Sequence, residues 1–263
     1  MDASVRAPAV AGTFYPSEPS ELRSAVEGFL RMATPAGTAS PRAIVGPHAG
    51  YVYSGPVAGS AYAALAGHQA TYRRVVLVGP SHRVWFRGVA APSHRAFATP
   101  LGEVVIWRAG VDALVDAGLA QVDDEPHRLE HGLEVHLPFL QSALGPFELL
   151  PLVVGEAKVD AVADALALFW GEPETLFVIS TDLSHFLTHE AAQERDLRTA
   201  QAVESLRGDG LRSEDACGWL PLAAALRLAR GSECTIERLD LRDSSDTAGS
   251  PERVVGYGAW VLR

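Results

Sequence analysis

Three apolar runs in this chain end abruptly at histidine, and that repetition constrains the fold more than any other feature. Ala43-Ile44-Val45-Gly46 runs into Pro47-His48-Ala49-Gly50-Tyr51, Val75-Val76-Leu77-Val78 into Gly79-Pro80-Ser81-His82, and Leu176-Phe177-Val178-Ile179 into Ser180-Thr181-Asp182-Leu183-Ser184-His185. Continuous apolar runs without polar alternation mark strands covered on both faces, which parallel sheets require. The sequence therefore predicts an α/β fold. Residues 1–263 are expected to form one domain, with a central, mostly parallel or mixed sheet and helices on both faces.

The intervening segments fit that architecture. Leu22, Val26, Phe29 and Leu30 form a helical stripe after Pro19, and a loop over Thr34 to Pro41 ends it. A small-residue helix is expected over Val57 to Leu65, with Pro56 in its first turn. Further helices are predicted over Ala109 to Gly118, Glu130 to Leu144, Val159 to Phe169, His189 to Leu206 and Leu220 to Ala229. In the second of these, Pro138 either marks the first turn or kinks the helix. Strands are expected over Val89 to Pro92, Glu103 to Trp107, Leu149 to Val154, Thr235 to Leu241 and Val254 to Val261, and Arg6 to Tyr15 reads as an extended arm.

Composition excludes several classes. A formal net charge of −10 and the lack of any basic run argue against nucleic-acid binding, which leans on clustered Lys and Arg. No stretch approaches the roughly 18 apolar residues of a membrane span, and Met1 to Glu18 lacks the charged-then-apolar pattern of a leader, so a cytoplasmic protein is expected. In that compartment the 2 cysteines, Cys217 and Cys234, are expected as free thiols. Phosphate loops, dinucleotide fingerprints, serine-nucleophile elbows and paired-cysteine motifs are all missing, and His131 and His136 are wrongly spaced for a zinc-protease helix.

What remains are polar groups at strand ends, where open α/β sheets bind ligands. His48, His82, Asp182 and His185 fall there. Each alone is explained by a turn hydrogen bond; together they suit a metal or proton-transfer site. A second polar group spans Asp123 to His136. If helical, it puts Glu130 and Glu134 on one face and pairs His131 with Glu134, a carboxylate behind a ligating or proton-transferring imidazole. Acidic capping accounts for Asp123 to Glu125 instead. Cys217, at a helix start, is either a thiolate of lowered pKa or inert packing.

Taken in order, Ala11-Gly12-Thr13-Phe14-Tyr15-Pro16, Pro47-His48-Ala49-Gly50-Tyr51, Gly79-Pro80-Ser81-His82, Glu130-His131-Gly132-Leu133-Glu134, Ser180-Thr181-Asp182-Leu183-Ser184-His185 and Cys217-Gly218 resemble the Memo family, also called AmmeMemoRadiSam system protein B. The resemblance spans essentially the whole chain. It implies a fold like the class III, non-haem-iron extradiol dioxygenases, with His48, His82 and Cys217 as ligands of a mononuclear metal and His185 as an acid/base. Asp182, His131 and Glu134 are expected to complete the proton-handling set. Iron is the first expectation for the metal, with copper or zinc as alternatives because a thiolate is softer than a carboxylate. The chain departs from relatives in placing Pro126-His127-Arg128-Leu129 between its acidic run and Glu130, which is expected to reshape that loop.

The function expected is redox or oxygen chemistry on a small substrate. Two alternatives stand beside it: a non-catalytic module whose pocket binds a peptide or small molecule, with a radical-SAM protein and an Amme-type protein as partners, and a zinc-dependent hydrolase.

Overall fold

The computed structural model describes residues 4–34, 37 and 39–263, so residues 35, 36 and 38 of the loop expected over Thr34 to Pro41 lie outside the described residues. The elements in order are β1 (Val5–Arg6), α1 (Pro19–Met32), β2 (Ala43–Gly46), α2 (Tyr51–Ala63), β3 (Arg74–Pro80), β4 (Val89–Ala91), β5 (Ala96–Thr99) and β6 (Gly102–Ile106). There follow α3 (Arg108–Asp116), β7 (Gln121–Val122), α4 (Glu125–Arg128), α5 (Leu137–Leu144), β8 (Glu148–Val154), α6 (Val159–Trp170), β9 (Thr175–Ser180) and β10 (His185–Leu187). The chain ends with α7 (His189–Glu204), α8 (Trp219–Arg230), β11 (Ile236–Asp243) and β12 (Val254–Leu262).

One mixed sheet runs β1-β5-β6-β8-β3-β9-β2-β12-β10, with β11 on β12 and β4 on β8. The expected α/β architecture is what the chain adopts. At its centre β8, β3, β9 and β2 are parallel neighbours, and every residue of β2 and β9 is buried. Their carboxyl ends therefore open at one edge, which brings the three histidine-bearing tips together. Helices α1, α2 and α5 pack on one another, as do α6 and α8. Among the described residues no helix is long and apolar enough to cross a membrane.

Two helices differ from expectation, each for a local reason. Helix α2 starts at Tyr51 rather than after Pro56, because Ser54 N–H already bonds the Gly50 carbonyl and the carbonyl that Pro56 leaves unbonded belongs to Val52, a residue 62 % exposed. Its glycines allow close packing: a Cβ on Gly59 would stand 2.6 Å from the Phe29 carbonyl oxygen of α1. The helix expected from Glu130 begins only at Leu137, with Pro138 in its first turn after a single 3₁₀ turn over Glu134–His136. Glu130 and Glu134 therefore do not share a helical face. Glu134 instead accepts the Ala9 and Val10 N–H groups, and Glu130 those of His82 and of Gly132 in its own turn, which holds the segment out of helix.

Candidate metal centre

His48 leaves the tip of β2 with 1 % of its surface exposed, pinned at two points. Its own N–H donates to Asp182 Oδ1 beyond β9 at 2.8 Å, and its ring Nδ1 lies 2.6 Å from Ser180 Oγ. The Ser180 hydroxyl spends its one proton on the Gly132 carbonyl, so Oγ can only accept from His48. Nδ1 therefore carries the proton, and Nε2 presents a lone pair.

His82 repeats the device with a carboxylate. Its Nδ1 donates to Glu130 Oε1 at 2.8 Å and its main-chain N–H to Glu130 Oε2 at 2.8 Å, again leaving Nε2 as the free lone pair. Glu130 is nearly fully buried; burial works to raise its pKa, but the bonds from His82 and Gly132 outweigh it and hold the carboxyl below its usual range. It stays ionised and can only accept.

His131, two residues before Leu133, completes the group. The rings of His48 and His82 lie 4.9 Å apart, His48 and His131 5.5 Å, and His82 and His131 4.5 Å. Among the described residues, one ligand atom from each of these three comes within 4.8 Å of the other two. Nδ1 of His131 is buried and has no hydrogen-bond partner, sitting 3.4 Å from Glu130 Oε1. Burial, with the neighbouring imidazoles adding to it, holds His48 well below the usual histidine range and His131 down to about 4. The His48 and His131 rings are thus neutral and free to ligate.

Cys217 meets the same group from the turn before α8, its Sγ 3.2 Å from His48 Nε2. The helix start does not activate it. Burial, followed by the nearby Asp182 carboxylate, pushes the thiol up to about 12. Without a metal, Cys217 is a protonated thiol within reach of the His48 lone pair and the Asp182 carbonyl. It lies beside the three-histidine group rather than within it.

The other expected residues divide clearly. His185 donates from Nδ1 to the Leu183 carbonyl at 2.8 Å, which leaves Nε2 as a base, and it is near enough to influence His48. Asp182 is 4 % exposed; burial raises its carboxyl, and its bond to His48 N–H orients the His48 backbone. Glu134 does not join these groups: it is fully buried and faces the N-terminal arm, accepting from Arg6 Nη1, the Ala9 and Val10 amides and Tyr15 Oη. His127 is also elsewhere, its Nε2 3.1 Å from the Ala90 carbonyl. Asp123 Oδ1 does cap the start of α4 through Glu125 N–H. Cys217 and Cys234 are both free.

Sequence reasoning missed Ser180 as a ring anchor, although it ends the third apolar run, and Glu130 as the partner of His82. It also missed the outer wall. A cleft of about 360 Å³ opens beside His82 and Cys217 and is lined by Arg83, Trp85, Phe86 and Trp219. The donors fit a metal on the chemistry of the set: imidazole lone pairs fixed in one tautomer, an unpartnered buried ring nitrogen, and a thiol at hand.

Comparisons with known proteins place nearly the whole chain in one family. The family model described as "Memo-like protein" matches residues 6–261. A MEMO1 family protein of Methanopyrus kandleri is 35 % identical over 98 % of this chain and 99 % of its own. Another, from Aquifex aeolicus, is 34 % identical over 96 % and 97 %, and one from Methanothermobacter thermautotrophicus 30 % over 96 % and 98 %. With the match running from the N-terminal arm through every strand tip to β12, the chain belongs to the Memo-like family.

Proposed function

We propose that the strand-tip cluster is a mononuclear metal centre held by His48, His82 and His131, with Cys217 as an additional donor, and that it serves redox chemistry on a small molecule bound in the adjoining cleft. The observation that carries this is the convergence of three imidazoles, with one ligand atom of each within 4.8 Å of the others and two of the rings anchored at Nδ1 so that Nε2 is left to bind. Structural histidines seldom converge in this way.

A mixed imidazole and thiolate set suits iron(II), copper(I) or zinc, and when bound such an ion would supply Lewis acidity and, for iron or copper, electron transfer. Iron is the assignment we test first. The chain's own residues account for the rest. Ser180 and Glu130 hold two ligand rings in the required tautomer. His185 Nε2, with Nδ1 committed to Leu183, can take a proton from a bound substrate and return it. Arg83, Trp85 and Trp219 wall the approach.

The test is elemental analysis of protein loaded anaerobically with Fe(II), Cu(I) or Zn(II) in turn, for wild type and for His48→Ala, His82→Ala, His131→Ala and Cys217→Ser. Loss of stoichiometric metal in all three histidine variants is the expected result. Retention of metal by His48→Ala would sink the assignment, and retention of zinc alone by wild type would turn the reading from redox chemistry to hydrolysis.

A further inference from the structure

Residues 127–135 carry Glu130 and His131, yet from the end of α4 to the turn before α5 they have little regular structure of their own. Their internal main-chain bonds are few and long, Glu130 N to the His127 carbonyl at 3.3 Å and Val135 N to the His131 carbonyl at 3.2 Å. A stretch so loosely tied to itself does not place an imidazole accurately. Something else must hold it.

The N-terminal arm does so from the far end of the sequence. Arg6 donates from Nε to the His127 carbonyl at 2.6 Å and from Nη2 to the Glu130 carbonyl at 2.7 Å, so one guanidinium spans the segment. Its Nη1 reaches Glu134 at 2.8 Å, within an ion pair that is 3 % and 0 % exposed. Three more donors from the arm converge on that carboxylate: Ala9 N at 2.7 Å, Val10 N at 2.9 Å and Tyr15 Oη at 2.6 Å. The arm also touches the ligand itself, since the Phe14 ring lies 4.9 Å from the His131 ring. Phe14 is fixed in turn by Tyr51 N–H on its carbonyl at 2.7 Å.

We infer that the arm from Arg6 to Tyr15 is a positioning element of the metal centre, which sets the place of His131 and Glu130 through the Glu134 carboxylate and the Phe14 ring. Glu134 is thus a positioning residue that meets neither metal nor substrate. The inference rests on the reading of the cluster as a metal site only for its effect on affinity; its effect on the segment stands without a metal.

Charge makes the clamp all-or-none. A buried carboxylate with four donors and a guanidinium with three acceptors satisfy each other, and removing either strands the other in a medium that cannot solvate it. Glu134→Gln therefore risks the fold as a whole. Two milder variants probe the arm instead. Tyr15→Phe removes one donor of the four, and Phe14→Leu removes the ring that packs on His131.

Co(II) serves as the probe, because its visible spectrum reports ligand geometry as well as occupancy. Each variant is compared with wild type and with Val162→Ala, a core truncation in α6 away from the arm. We expect Tyr15→Phe and Phe14→Leu to weaken Co(II) binding about tenfold, the lower end for residues that orient metal ligands, and to shift its visible bands. Val162→Ala should lower the melting temperature and change neither. In metal-free protein, amide exchange over residues 127–135 and the ring signals of His82 and His131 should change in the two arm variants alone. Unchanged exchange and ring signals would overturn the positioning role whatever the metal does, as would Co(II) affinity equal to wild type in both variants. Failure of wild type to bind Co(II), with the metal-free changes present, would remove the metal reading and leave the arm as the organiser of a histidine pocket.

Discussion

Two sets of histidines lie wholly or largely out of water in this protein, and burial lowers the pKa in both, yet their surroundings differ. His48, at a strand tip, and His131, on the loop beside it, share their space with a third imidazole and a thiol. His127 and His136 stand outside that group: His127 Nε2 meets the Ala90 carbonyl, His136 Nδ1 the Tyr62 hydroxyl at 2.8 Å, and the other ring nitrogen of each is buried without a partner. Burial holds both of these rings down to about 3, lower than His131. A depressed pKa therefore does not mark a site here. Convergence of lone pairs does.

The largest expected contrast follows directly. His48→Ala or His82→Ala should abolish stoichiometric metal, whereas His136→Ala should retain it while losing about 3 kcal/mol of stability from a cavity and an unpaired Tyr62 hydroxyl. Metal content and urea midpoints on the same samples check this. If His136→Ala also lost metal, the division between the two sets would collapse.

A smaller effect tests why the tip rings are poised. Glu130→Gln keeps the shape of the side chain but no longer obliges His82 Nδ1 to carry the proton, and Ser180→Ala frees the His48 ring in the same way. Each should weaken metal binding about 10- to 100-fold. Isothermal titration with Zn(II) is the measurement, and equal affinity in both variants would show that the tautomer anchors do not matter.

Much of this was legible in the sequence, and the boundary has a physical cause. Strands covered on both faces must be continuously apolar, so a polar residue that ends such a run stands out; that is why His48, His82 and Asp182 could be placed from the sequence. His131 could be named but not positioned. It sits on a segment without periodicity, held by partners such as Arg6, 124 residues from the Glu130 carbonyl it binds, and no local rule encodes that distance. For Glu134 the local rule misled. Spacing of i, i+4 counts only where a helix forms, and here the N-terminal arm supplies better partners for the carboxylate than a helix would.

The buried histidines also predict how the metal-free protein responds to acid. For a histidine held near 3 when folded and titrating near 6.5 when unfolded, the unfolded state takes up the proton first, so stability falls as pH drops below about 6.5 and keeps falling to about 3. Asp196 opposes this. Burial raises its carboxyl to about 6, so its contribution is full below the unfolded value near 3.8 and is lost as pH rises through about 6. Asp182 is raised in the same sense, but His48 and His131 are held down with His127 and His136, so the four histidines should outweigh the two carboxyls and melting temperature should decline steadily from pH 7 to pH 4.5.

Removing the Asp196 contribution gives the smallest and most specific effect. Asp196 Oδ1 accepts from Ser184 N–H at 3.0 Å, in the loop between Asp182 and His185, and Asp196→Asn keeps an oxygen for that bond. At pH 8 the wild-type carboxyl is ionised at a cost that the amide does not bear, so the variant should be more stable by about 1 kcal/mol. At pH 4.5 the folded wild type is already protonated at this position, and the gain should vanish. Melting curves at the two pH values decide it. A gain that persists at pH 4.5 would mean that packing against Gly256, rather than charge, sets the cost of burying Asp196.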